Sequence, residues 1–191
     1  MAILHKAQIT PSKLELLSSW LPRQPWYDGP AEPVLARVAA ARFDDPEGEV
    51  GIETLLVRAG DGPVLHVPLT YRGAPLAGAE EFLVGTTQHS VLGERWVYDG
   101  TGDPAYLAEA ARVIRKSGHQ AAEQVDTGGE LVSRDPDLTL SGSGSPGSAG
   151  PISVQVNRIP TIAVDPADEG VLTGCWSGQE TPVVLVHLRR S

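Results

Sequence analysis

The sequence is poor in the residues that cross-link chains and in the charge that attracts nucleic acids. It has one cysteine, Cys175, so an internal disulfide is excluded. Its 15 basic residues are outnumbered by 24 acidic ones, and the net charge of -9 disfavours binding to nucleic acid phosphates or anionic lipid. No apolar run is long enough to span a bilayer, and the first residues do not resemble a signal peptide. We therefore expect a cytoplasmic protein that contacts neither nucleic acids nor membranes.

The sequence also lacks the motifs of common catalytic and cofactor sites. There is no GxxxxGKS/T loop, no HExxH helix and no GxSxG turn, and the five histidines are scattered. Residues 142–147 match GxGxxG, but strand-like residues follow where a phosphate cradle requires a helix. We therefore predict no cofactor, no metal site and no catalytic residue, and we do not expect an enzyme.

The first 120 residues have the pattern of an α+β fold. Thr10 and Pro11 predict the start of a first helix, which Pro22 ends, and Asp103 and Pro104 predict the start of a second. Alternating apolar and polar residues predict four strands between the helices: Val34 to Phe43, Val50 to Arg58, Val64 to Tyr71 and Val91 to Tyr98. Short turns join them, so we expect an antiparallel sheet. Residues 85–90 are interpreted as a polar loop.

The C-terminal part predicts further strands after a flexible segment. Residues 141–150 are almost entirely Gly and Ser and predict a flexible linker loop. Three strands are predicted beyond it: Ile152 to Val156, Val171 to Trp176 and Val183 to Leu188. With no second set of helices, we expect residues 151–191 to complete or extend the first sheet. The chain, residues 1–191, is predicted to be one domain with residues 1–120 as its core.

Aromatic residues are scarce, yet three of them lie close together after the first helix. Six residues of this segment form a candidate partner- or ligand-binding site: Trp20, Arg23, Gln24, Trp26, Tyr27 and Asp28. In one interpretation the two Trp side chains pack the helix onto the sheet, with Arg23 stacked on a ring. In the other they form a recognition surface, because Trp, Tyr and Arg often anchor interfaces and stack on sugars.

Three blocks of rare residues follow one another in the sequence: Trp20 to Trp26, Val67 to Arg72, and Gly93 to Asp99 with Asp103 and Pro104 close behind. In this order they resemble the N-terminal cap of actinobacterial maltokinases and related glucosamine kinases. Pro25 stands where those kinases usually carry a basic residue. The resemblance covers about Leu14 to Leu107 and implies a cystatin-like cap, a curved antiparallel sheet with two main helices packed on it.

The resemblance does not imply catalysis. The HxDxxxxN motif that carries the phosphotransfer base in those kinases does not occur in this sequence. We therefore expect a cap without the kinase catalytic lobes, acting as a non-catalytic accessory or regulatory partner in maltose, trehalose or glycogen metabolism. The expected partner is a sugar kinase, a trehalose synthase or a related enzyme, or a second copy of this chain.

Two alternatives stay open. The same aromatic residues suit a carbohydrate-binding module. A small glucan-acting enzyme is the other alternative, and Glu53, an acid within an otherwise apolar strand, is its best candidate residue. The acids between Asp44 and Glu49 lie among Pro and Gly, which is typical of a solvated turn.

Overall fold

The computed structural model describes residues 2–4, 8–126, 131–144 and 151–190. This part of the chain contains two α-helices, α1 (Lys13–Trp20) and α2 (Pro104–Arg115). Its strands, in chain order, are β1 (Ala2–Leu4), β2 (Ile9–Thr10), β3 (Leu35–Phe43), β4 (Gly51–Ala59), β5 (Val64–Arg72), β6 (Leu83–His89), β7 (Gly93–Asp99), β8 (Glu123–Asp126), β9 (Leu131–Arg134), β10 (Leu138–Gly142), β11 (Ile152–Thr161), β12 (Gly170–Trp176) and β13 (Gln179–Arg190). Within these ranges, no helix combines the length and apolar character that a bilayer-spanning helix needs.

The main sheet has six strands in the order β2-β6-β7-β5-β4-β3, and every neighbouring pair is antiparallel. It curls into a half-barrel. The predicted α+β fold class, with an antiparallel sheet and two helices, is confirmed.

Both faces of this sheet are buried, each under a different helix. Along β4, Leu55 and Val57 join the core cluster that contains α1, whereas Ile52 and Leu56 join the cluster that contains α2. Side chains of a strand alternate between its two faces, so this division follows from the odd and even positions. Burial on both sides explains why three apolar residues, Leu55, Leu56 and Val57, follow one another in β4.

The C-terminal strands form a sheet of their own, which differs from the expected extension of the first sheet. Its order is β10-β12-β13-β11, again antiparallel. At the outer edge of β3, the carboxylate of Asp137 accepts the Ala40 N–H at 2.8 Å and also pairs with Arg37. Asp137 therefore occupies a hydrogen-bonding position that a further strand would use. The second sheet instead packs on α2, and residues of both sheets and of α2 share one core cluster. A third, small sheet has the order β1-β8-β9.

Both α-helices begin directly after a residue whose side chain caps the helix N-terminus. Helix α1 begins after Ser12, so the prediction of Thr10 as its cap was wrong by two residues. The Ser12 hydroxyl accepts the Glu15 N–H at 3.3 Å, and the Glu15 carboxylate accepts the Ser12 N–H at 2.7 Å. This reciprocal pair satisfies two N–H groups that a helix start leaves unbonded. The predicted cap of α2 is confirmed, because Asp103 accepts the Ala105 N–H at 2.9 Å.

Two segments predicted as irregular form strands in part. Residues 85–90, expected as a loop, lie mostly in β6, where Thr87 is buried and Thr86 and Gln88 are exposed. Polar side chains in this strand therefore occupy buried and exposed positions in turn. In the predicted linker, Ser141 and Gly142 belong to β10, and residues 145–150 lie outside the described residues.

Candidate functional site

The aromatic segment, residues 20–28, starts at the end of α1 and continues through the 3-10 turn Leu21–Arg23. Trp20 is 2% exposed and packs beside Leu17 in the core between α1 and the main sheet. The side-chain amide of Gln24 donates to the Trp20 carbonyl at 3.3 Å. Trp20 and Gln24 therefore build the fold, and neither presents its full side chain to a ligand.

Trp26 is half-buried and packed on several sides. Its ring centre lies 6.0 Å from that of Trp20 and 6.5 Å from that of Tyr27, which meets it edge-on. The guanidinium of Arg158, from β11, lies 4.4 Å from the Trp26 ring centre. The sequence predicted that Arg23 would stack on a ring of this segment, but Arg23 is exposed and the cation over Trp26 is Arg158. The two Trp side chains thus pack as in the first interpretation, and the stacked cation comes from the C-terminal sheet.

Arg158 also contacts the end of the block Gly93 to Asp99, the third of the blocks that carry the resemblance. Its guanidinium donates to the Asp99 carboxylate and, at 3.2 Å, to the Thr101 hydroxyl. Asp99 is 3% exposed and accepts the Thr101 N–H at 3.2 Å. One side chain of β11 therefore joins the aromatic segment to the end of β7.

The solvent-facing part of the aromatic segment is smaller than the sequence suggests. Arg23 and Asp28 are exposed, and Trp26 and Tyr27 are half-buried. The Tyr27 hydroxyl donates to a nearby backbone carbonyl at 3.3 Å. With one ring buried and another contacted by Arg158, little aromatic surface is left for stacking on a sugar.

A pocket of about 550 Å³ lies at another place, where α1 begins and where the β3–β4 turn, β5 and the β6–β7 hairpin meet. Small-ligand sites commonly fall in the range of about 300–1,000 Å³. Its charged lining consists of three cationic and three carboxylate side chains: Lys13, Arg42, Arg95, Asp44, Asp45 and Glu49. Ile9, Phe43 and Leu92 contribute apolar surface.

Glu53 is a buried acid bonded to two residues of the pocket lining. Its carboxylate accepts from the Lys13 ammonium at 2.5 Å and from the Tyr71 hydroxyl at 2.6 Å. Burial alone would raise the pKa of Glu53, but Lys13, the charge of Arg42 and the Tyr71 hydrogen bond lower it. A glycosidase general acid needs a raised pKa. Glu53 therefore has the properties of a structural ion pair and gives no support to the enzyme alternative.

Asp45 builds the β3–β4 turn. Its carboxylate accepts the backbone N–H groups of Glu47 at 3.1 Å, Glu49 at 2.9 Å and Val50 at 2.8 Å. Burial would raise the pKa of Asp45, and these hydrogen bonds lower it. This role agrees with the interpretation of the acidic stretch as a turn.

Sequence reasoning did not select Arg158, Lys13 or Arg95 as site residues. Arg95 stands two positions before Val97, which is buried in the cluster under α1. Alternation along β7 places both on one face of the sheet, so the sequence contained a usable signal for Arg95. No local pattern indicates that Arg158 meets an aromatic ring so much earlier in the chain.

The half-barrel sheet, with α1 and an aromatic segment packed into one of its faces, defines a cap-like α+β module. The model of the maltokinase N-terminal cap domain family matches residues 20–103, from the Trp that ends α1 to the Asp that caps α2. Residues 20–103 are therefore a cap-like domain similar to the maltokinase N-terminal cap. Helix α2 and the second sheet lie outside the match. No curated protein matches the chain.

Proposed function

We propose that this protein is a non-catalytic, cap-like accessory or regulatory partner of an enzyme in maltose, trehalose or glycogen metabolism, acting in the cytoplasm. The observation that carries the proposal is the match of residues 20–103 to the maltokinase N-terminal cap domain. A domain that accompanies a sugar kinase is suited to contacting enzymes of the same metabolism.

The buried charged and aromatic side chains stabilise the fold, and this supports a non-catalytic role. Trp20 packs in the core, and Asp99 pairs with Arg158. Arg72 pairs with Asp103, and Glu53 is held by Lys13 and Tyr71. These groups stabilise the fold. Catalytic acids and bases are instead held near their working pKa and within reach of a substrate.

The proposed contact surface is the solvent-facing part of the aromatic segment: Arg23, Trp26, Tyr27 and Asp28. Trp, Tyr and Arg dominate the energetics of many interfaces. Arg158 and Trp20 hold the Trp26 ring in place, so little side-chain freedom is lost on binding. The exposed charges of Arg23 and Asp28 would select a partner of complementary charge.

The test is a direct binding measurement with purified enzymes. The protein is immobilised and titrated with a maltokinase and with a trehalose synthase from the same source. Arg23→Glu and Asp28→Lys reverse exposed charges without disturbing the core, so we expect each to weaken binding by about tenfold. Arg58→Glu is the matched control, because Arg58 is exposed and lies on β4 outside the aromatic segment.

Binding of neither enzyme would contradict the proposal, and so would equal binding by Arg23→Glu, Asp28→Lys and the control. Light scattering of the free protein covers self-association. If Arg23→Glu disrupts a dimer and enzyme binding is absent, the partner is a second copy and the metabolic role proposed here is wrong.

A further inference from the structure

The pocket at the end of the main sheet offers an arginine whose hydrogen-bonding capacity is not fully used. Arg95 lies on β7 and lines the pocket. Its Nε atom is buried and has no hydrogen-bond partner in the described part of the chain. The guanidinium also forms no ion pair with a carboxylate of these residues, although carboxylates line the same pocket.

Arg95 differs in this respect from its polar neighbours in the third resemblance block. The Tyr98 hydroxyl accepts the Leu76 N–H at 2.9 Å, and Asp99 accepts from both Thr101 and Arg158. A buried N–H without a partner is costly, so such groups are rare and need an explanation. An oxyanion that approaches the Nε edge of the guanidinium would satisfy this group, once a rotation of the Arg95 side chain brings the buried Nε–H to the pocket wall.

The charges around Arg95 specify the class of ligand. Lys13 and Arg42 line the same pocket, and Glu53 already neutralises Lys13. Asp45 is committed to the backbone of its own turn. Asp44 and Glu49 are the exposed carboxylates of the lining, and the Glu49 carboxylate can accept hydrogen bonds from hydroxyl groups. The lining therefore combines cationic donors for an oxyanion with an acceptor for hydroxyls.

We propose that this pocket binds a hexose-sized ligand that carries an oxyanion and hydroxyl groups, with Arg95 holding the oxyanion. The planar fork of a guanidinium matches a phosphate or a carboxylate with two parallel hydrogen bonds. A volume of about 550 Å³ accommodates a ligand of this size. The proposal is independent of the partner enzyme, since the pocket contains none of the four contact residues above.

Calorimetric titration with four probes tests the ligand class. Glucose 6-phosphate and glucuronate carry the two kinds of oxyanion, glucose carries none, and inorganic phosphate has no sugar. We expect at least one of the first two to bind about tenfold more tightly than glucose and than inorganic phosphate. Arg95→Gln should lose that difference, whereas Arg58→Gln, an exposed position outside the pocket, should keep it.

Thermal melting separates binding from folding. Because the Arg95 Nε lacks a partner, Arg95→Gln should melt at the same temperature as the wild type or higher. If Arg95→Gln does not fold, Leu92→Trp tests the site instead. Leu92 is half exposed and lines the pocket, and the larger indole side chain would narrow it. Leu92→Trp should also lose the binding.

Three results would overturn the proposal. The first is that neither glucose 6-phosphate nor glucuronate binds at about 10 mM, ten times a Kd of about 1 mM, which already corresponds to only about 4 kcal/mol of binding free energy. The second is that inorganic phosphate binds as tightly as glucose 6-phosphate and glucuronate. The third is that a folded Arg95→Gln or Leu92→Trp variant binds these ligands as tightly as the wild type. None of these results bears on the partner enzyme, so the two proposals fail separately.

Discussion

The guanidinium of Arg72 forms two parallel hydrogen bonds, each of 2.7 Å, to the carboxylate of Asp103. This joins the last residue of β5 to the residue that caps α2, and Thr70 adds a third hydrogen bond to the same carboxylate at 2.6 Å. Asp103 is fully buried. Burial would raise the pKa of Asp103, but the hydrogen bonds from Arg72, Thr70 and the Ala105 N–H lower it. Arg72 and Asp103 both belong to the resemblance blocks, and this contact explains why they occur together.

Arg72→Met should therefore destabilise the protein strongly. It leaves the Asp103 carboxylate buried without its cation, and breaking one side of a buried pair costs about 3 kcal/mol. Urea unfolding followed by circular dichroism measures the change in the free energy of unfolding. Arg58→Met removes an exposed arginine from the neighbouring strand and should change it by less than about 0.5 kcal/mol. Similar losses in both variants would mean that the pair contributes nothing specific.

The contact between Trp26 and Arg158 should appear as a coupling energy. Trp26→Leu and Arg158→Met each remove one partner, and the double variant should be less destabilised than the sum of the two. We expect a coupling of about 1 kcal/mol, since a cation over a Trp face contributes about 0.5–2 kcal/mol. Additive losses in the urea unfolding of the three variants would show that the two side chains touch without stabilising each other.

The sequence predicts the elements of the cap well and the contacts between distant segments poorly. Helix α2 and strands β3, β4 and β5 follow from capping residues and apolar alternation, which are local signals. Strand β6 was missed because Thr86, Thr87 and Gln88 carry the alternation with polar side chains. Ser177 and Gly178 alone connect β12 to β13, whereas the predicted strands end at Trp176 and resume at Val183 and so left a longer connection.

The candidate site illustrates the same limit. The sequence marks Trp20 and Trp26 as unusual, and the structure places both in one cluster. Their cation could not be predicted, because Arg158 lies beyond Val156, where the predicted strand ends, and residues 151–191 were expected to complete or extend the main sheet. Which arginine approaches the ring depends on how the second sheet packs, and the packing depends on the shared core around α2.

His66 should make the protein sensitive to mild acid. Its side chain is fully buried, and its Nδ1–H donates to the Asn157 carbonyl at 3.2 Å, while Nε2 has no partner among the described residues. Burial, together with the charge of Arg158, lowers the pKa of His66 to about 3. An unfolded histidine has a pKa of about 6.5, so between these values the unfolded chain takes up a proton that the native protein does not.

Stability should therefore fall as the pH decreases below about 6.5, by up to about 1.4 kcal/mol per pH unit from this residue. The free energy of urea unfolding at several pH values between about 7 and 4 gives the slope. His66→Gln should have a slope shallower by about one proton, whatever its stability at neutral pH. Equal slopes for wild type and variant would mean that His66 is protonated in the native state as readily as in the unfolded one.

Gly142 provides a test of how the second sheet packs against α2. A Cβ atom at this position would lie 2.2 Å from the Val113 carbonyl oxygen and 2.9 Å from the Ile114 Cα, both of them backbone atoms of α2. Backbone cannot rotate away as a side chain can, so Gly142→Ala must push β10 and α2 apart. Overpacking of this kind costs about 3 kcal/mol, which corresponds to a fall in melting temperature of roughly 10 °C in a protein of this size. Gly51→Ala is the matched control, because its Cβ would meet Tyr71 at 3.4 Å, an ordinary contact. If Gly142→Ala melts with the control, β10 does not pack on α2 at this distance and the shared core must be looser than described.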